Sequence, residues 1–236
     1  MAAKKYITSV QDLISSVEPL GHKDMMLFRG QDDDYPLLPK IARRNPFENT
    51  AELERKMIEE LKRRTAQDPI IVGKDDWDCL VYASHYGMAT RLLDWTSNAL
   101  VALWFAAIDQ KVNSLGYIYL LIVDNEILLD KRKFPDPFSI KGKTKVFKPN
   151  INNPRIAAQS GWFTVHAYSN RARKFVDLHK NRSLKTRVLM KGVPGRCKVE
   201  ILRSLDKLAV NNESLFPGIE GSCKYLNWIF ENRFLK

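Results

Sequence analysis

Cysteine is scarce in this 236-residue chain: Cys79, Cys197 and Cys223 are few, odd in number and widely spaced. A disulfide framework is therefore not expected, and reduced thiols are. No two of the three form a Cys-x-x-Cys pair, and the four histidines never fall at metal-ligand spacing, so no metal site is predicted. Long hydrophobic runs are missing as well. The longest, 99–108 and 117–123, are far too short to span a bilayer. The opening MAAKKYITSVQDL carries no apolar stretch followed by a cleavage site, which predicts no signal peptide, no membrane contact and a cytoplasmic protein. Neither GxGxxG nor GxxxxGK[ST] occurs, which disfavours doubly wound dinucleotide-binding folds and P-loop folds. Repeats and low-complexity segments are absent too.

Acidic residues are outnumbered by basic ones, and the imbalance is local. The chain has 38 Lys+Arg against 27 Asp+Glu, a net charge of +11. Between 131 and 203 stand 19 of those basic residues and three acids, Asp136, Asp177 and Glu200. Such a stretch is either a solvated basic face or an electrostatic footprint for a polyanion. Phe134, Phe138, Phe147, Trp162, Phe163 and Tyr168 are interleaved with the cations. That mixture suits single-stranded nucleic acid, whose bases stack while its phosphates pair, although part of the aromatic set must serve the core. Lys141, Lys143, Lys145 and Lys148 are the candidate phosphate contacts.

Hydrophobic periodicity supplies the elements. Apolar spacing over 7–20 predicts an opening helix capped by Thr8 or Ser9. MMLFRG predicts a buried strand ending in a turn, and QDDDYPLLPKIARR an irregular stretch. ENTAELERKMIEELKRRTAQ and DDWDCLVYASHYG predict helices, the second capped by Asp75 or Asp76 and closed by Gly87. SNALVALWFAAIDQ is apolar nearly all round and predicts a central buried helix. GYIYLLIVD predicts a strand, and so do RIAAQSGWFTVHAY, bent at Gly161, and the shorter RCKVEIL. A Pro/Lys-rich connection over 128–153 is long enough to be functional. SLDKLAV predicts a helix, LFPGIEG a turn and SCKYLNWIFENRF a last helix. Strands and helices mix without βαβ alternation, so the class is α+β in a single domain over 1–236.

Four ordered pieces carry a resemblance: FRGQ at 28–31, SHYGMATRLLDWT at 84–96, AAQSGWF at 157–163 and LFPGIEG at 215–221. Together they resemble the FRG domain family over roughly residues 23–230. Ser84 stands where that family usually has glutamine and Gly218 where it usually has an acid; Glu220 keeps the second acidic position. The family's arrangement is similar to that of ADP-ribosyltransferases, which implies small mixed or antiparallel sheets surrounded by helices, with a polar NAD-gripping residue on the first strand. Some members are thought to act in toxin or phage-defence systems. The resemblance therefore implies NAD as substrate and a neutralising antitoxin protein as a partner.

On that reading the catalytic set is Arg29, His85 and Glu220. Arg29 would hold a pyrophosphate or ribose with two prongs, or alternatively pair a core carboxylate such as Asp94. His85 would orient a ribose hydroxyl or act as a general base, or else be a satisfied core histidine. Glu220 would supply the late carboxylate, with a helix-cap role as the rival. The NAD-binding set is Gly30, whose bare Cα lets a ligand approach, with Gln31, Thr90, Arg91, Asp94 and Gln159. Arg91 is expected to reach a pocket, Asp94 to cap the apolar helix after it, and Gln159 to position a nucleophile or the nicotinamide from a late strand. The expected activity is ADP-ribosylation of nucleic acid, RNA before DNA, in antiphage defence. An RNA-cleaving toxin using His85 and Arg29 is the first alternative, and a non-enzymatic nucleotide-binding module the second.

Overall fold

A computed structural model describes residues 6–20, 25–181, 184 and 188–233. Its centre is strand β1 (Met25–Gln31), whose side chains alternate between two cores. Leu27 faces Leu93, Trp95, Tyr119, Leu121 and Leu178, whereas Phe28 faces the helices. In chain order the other elements are α1 (Val10–Val17), α2 (Lys40–Arg43), α3 (Ala51–Arg64), α4 (Asp76–His85), β2 (Leu92–Thr96), α5 (Ala99–Ala107), β3 (Leu115–Val123), β4 (Lys145–Phe147), α6 (Pro154–Ala158), β5 (Gly161–Val165), β6 (Val188–Pro194), α7 (Gly195–Lys207), α8 (Asn212–Leu215) and α9 (Ile219–Arg233). The strands form one six-stranded sheet in the order β4-β5-β2-β1-β3-β6, antiparallel at every pairing. The class is α+β, and the described residues form a single sheet in place of the several small ones expected.

Helix α5 lies directly on β1 and β3, and small residues make that possible. A methyl group added at Gly30 would fall on the carbonyl oxygen of Ala102, and one at Gly116 on that of Ala106. Gly30 is thus bare so that a helix can approach, which corrects the expectation that its Cα is left open for a ligand. Asn98 caps α5 by accepting a hydrogen bond from the Leu100 amide. The expected cap, Asp94, is instead the middle residue of β2, ahead of the Asn98 cap.

Three other expectations are corrected. RIAAQSG is the helix α6 and its exit, opened by Asn153 and Pro154, so Gln159 is the C-cap of a helix and not a strand residue. RCKVEIL belongs to α7, where Ile201, Leu202 and Leu205 are buried at helical spacing. Glu220 lies in the first turn of α9 rather than in an open turn. The opening helix begins at Val10 on a Ser9 cap, and α4 on an Asp75 cap, each accepting from a backbone amide three residues on. Among the described residues no helix is long and apolar enough to cross a membrane. The three cysteines are free.

Candidate functional site

The sheet comes apart at its middle. Among the described residues the pairing of β1 with β2 is confined to Phe28↔Thr96, although both strands run on past it. The guanidinium of Arg29 fills the opening. Its Nε donates to Gln31 Oε1 at 3.0 Å, and one terminal nitrogen donates to the Asp94 carbonyl at 2.8 Å and stands 4.0 Å from the Asp94 carboxylate. Burial lowers the Arg29 pKa to about 10, with Asp94 working the other way, so the group stays cationic near neutrality.

Around this opening is a cleft of about 260 Å³. Strand β1 contributes Phe28, Arg29 and Gly30; the end of α4 contributes Ser84 and His85; β2 contributes Asp94, Trp95 and Thr96. Val101 and Phe105 of α5 form an apolar side, and Arg155 and Gln159 close it from α6. The Asp94 side chain is 57% exposed. Among the described residues it is the cleft's one carboxylate, facing two guanidinium groups and an imidazole.

His85 is held by its position at the last residue of α4, with its ring 5.9 Å from that of Phe163. Its Nδ1 is buried without a hydrogen-bond partner. Burial lowers its pKa, Asp94 opposes that shift and Arg155 adds to it, so the neutral imidazole prevails. Arg155 donates to the His85 carbonyl at 3.1 Å and lies over the Phe216 ring at 4.4 Å. Burial lowers its pKa too, offset by Asp94 and then Glu220. Sequence reasoning missed Arg155. The Asn-Pro pair before it is a helix-start signal that would have placed it in the first turn of a helix.

The other expected residues divide plainly. Arg29, Gly30, His85, Asp94 and Gln159 line one cleft. Arg91 does not. It is 2% exposed and locked to the buried Glu54, which accepts from the Arg91 amide at 2.5 Å and from its Nε at 2.7 Å, while the guanidinium covers Phe138 at 4.8 Å. Desolvation raises the Glu54 pKa and Arg91 opposes it. Thr90 is buried beside it, accepting from the Leu92 amide. Gln31 is buried behind Arg29 and donates to the Tyr35 carbonyl, so it supports the guanidinium from outside the lining. Gln159 gives its amide to the Leu215 carbonyl at 3.0 Å, which ties α6 to α8 at the rim. Glu220 is 77% exposed, pairs with Lys224 at 2.6 Å and lines no part of the cleft. Of the lysines, Lys141 and Lys143 are exposed in the connection before β4, Lys145 donates to the Glu126 carbonyl, and Lys148 lies over Trp162 at 5.4 Å. Residues 182–183 and 185–187 of the basic stretch lie outside the described residues. Among the described residues no group of three or more His, Cys, Asp or Glu side chains is placed to hold a metal ion.

Comparison with known families puts an FRG domain over residues 24–114. That segment runs from the threshold of β1 to the residue before β3, and every lining residue except Arg155 and Gln159 falls inside it. No curated protein and no solved structure matches the chain.

Proposed function

We propose that the cleft binds the nicotinamide–ribose end of NAD and transfers ADP-ribose to a nucleic-acid acceptor, RNA for preference. The observation that carries this reading is Asp94: a half-exposed carboxylate in mid-strand, at the mouth of a cleft whose other charged groups are Arg29 and Arg155. A carboxylate so placed stabilises positive charge that develops on a bound sugar, and it does so without reorganising. The C1′–N bond breaks, the electron pair leaves with neutral nicotinamide, and the acceptor oxygen attacks C1′. Its proton passes to the neutral His85 imidazole and on to water. Arg29 and Arg155 take the diphosphate, for which their planar forks are suited. At about 260 Å³ the cleft falls just below the usual range of ligand pockets, roughly 300–1,000 Å³. It suits one sugar with its leaving group, and the adenylate end extends onto the surface.

Asp94 thus replaces Glu220 as the working carboxylate in this reading, because Glu220 points away to Lys224. The test is incubation with NAD labelled in its adenylate half, together with RNA, DNA or protein. Label on RNA with stoichiometric nicotinamide release supports the reading. Shortened RNA without nicotinamide release favours phosphodiester cleavage, and retention of intact NAD favours a binding module.

A further inference from the structure

We infer that a second hollow beside the cleft is a nucleobase subsite for single-stranded nucleic acid, built on Trp162 and Lys148; it rests on the reading of the acceptor above. The hollow measures about 210 Å³ and is lined by Lys148, Ile151, Ile156, Ser160, Trp162 and their neighbours. It shares a wall with the main cleft that is one residue thick on two segments. Thr96 lines the cleft and Ser97 the hollow; Gln159 lines the cleft and Ser160 the hollow. Two hydrogen bonds stitch that wall: the Ser97 amide donates to the Ser160 carbonyl at 3.1 Å, and the Thr96 hydroxyl donates to the Gln159 carbonyl at 2.6 Å.

Each part of the hollow has a use for a nucleotide. Trp162 is paired in register with Trp95 and half-buried against the core behind it, so its indole is a rigid platform. Ile151, 70% exposed, supplies an apolar flank. Lys148 lies 5.4 Å from the indole centroid on a long flexible stem. An incoming base can take the ring face while the ammonium moves to the adjoining phosphate, an exchange of one cation–π contact for stacking plus an ion pair. Ser160 has φ 47°, a left-handed conformation that non-glycine residues rarely adopt, and it turns the chain sharply between α6 and β5 to form the floor. Only an unpaired base exposes a face to such a platform, so the occupant is a single strand. A strand seated there runs beside the wall that the hollow shares with the main cleft.

The experiment uses the full chain and short fluorescent RNA, single-stranded or duplex, with inorganic polyphosphate as a charge-matched probe. Trp162→Leu keeps apolar bulk but removes the flat ring, and should weaken single-strand binding by about ten- to a hundredfold. Polyphosphate binding and nicotinamide release without RNA should be unchanged. RNA carrying 4-thiouridine, cross-linked by light to the unaltered protein, should map to residues 160–162, which keeps the test valid if the variant fails to fold. Wild-type affinity in Trp162→Leu, equal competition by polyphosphate, or a cross-link mapping elsewhere overturns the subsite. Release of nicotinamide reports separately on the transferase reading, so the two can fail independently.

Discussion

Arg91 and Asp94 stand three apart in one motif and do opposite things. Arg91 stands at the bend before β2 and is locked in a buried ion pair with Glu54, whereas Asp94 in mid-strand presents an open carboxylate. Arg91→Ala strands Glu54 in the core and should cost about 3–5 kcal/mol, read as a large fall in melting temperature. Asp94→Asn removes a charge 4.0 Å from the Arg29 guanidinium but keeps the carbonyl that Arg29 bonds, so the melt should fall far less than in Arg91→Ala while transfer is lost. A second prediction concerns His166. Its imidazole is 1% exposed, its Nε2 is 3.0 Å from the Thr164 hydroxyl, and burial pushes its pKa down to about 3, with Arg29 adding to the shift. The unfolded imidazole binds its proton near 6.5, so between about pH 6.5 and 3 the unfolded chain carries one more proton than the folded one. Stability from this group is therefore present above pH 6.5 and declines as pH falls. Melts from pH 7 to 4 should show a steeper decline in the native protein than in His166→Asn; parallel slopes would remove His166 from the account.

At the scale of elements, the close seat of α5 on the sheet decides where the cleft opens. Gly30→Ala and Gly116→Ala each push a methyl group into a helix carbonyl, an overpacking cost of about 1–3 kcal/mol or more. Urea titration should show the loss, with Gly30→Ala also blunting ligand binding because its clash lifts α5 beside Arg29. Asn98→Ala should cost about 1 kcal/mol, whereas Asp94→Asn should cost little, since Asn98 and not Asp94 caps the helix. Helices with strong caps were legible in the sequence, as Ser9, Asp75 and the acid-to-base pairs of α3 illustrate. Strand β2 was not. An aspartate in mid-strand is rare, and the pattern before an apolar helix reads as a cap. In RCKVEIL, Val199 and Ile201 alternate as in a strand, yet Lys198, Ile201, Leu202 and Leu205 make the buried helical stripe. A lysine in a buried stripe defeats a periodicity argument; its Nζ donates to Ser114, a partner 84 residues away that no local pattern reveals. The five cleft residues legible from the motifs lie on elements that meet at the break in the sheet, while Arg155 was hidden by reading α6 as a strand.

Across the whole molecule, the excess of cations over 131–203 borders the cleft through Arg155 and the hollow through Lys148. If this face docks RNA, affinity should fall steeply between about 50 and 200 mM salt, and charge reversal of Lys141, Lys143, Lys145 and Lys148 together should flatten that dependence without touching NAD hydrolysis. Lys148→Glu alone should cost more than Lys141→Glu, because Lys148 lines the hollow beside Trp162. Affinity indifferent to salt and to all four reversals would make the stretch a solvated face. The central claim is that Asp94 does the chemistry in a cleft built by Arg29, His85 and Arg155. Its most direct test is nicotinamide release from NAD by purified Asp94→Asn beside the native protein, with melting temperature recorded in the same samples. The account predicts a fall of about a hundredfold or more in release with a melt that falls far less than that of Arg91→Ala; native-level release by Asp94→Asn, or none by the native protein with or without RNA, would contradict it.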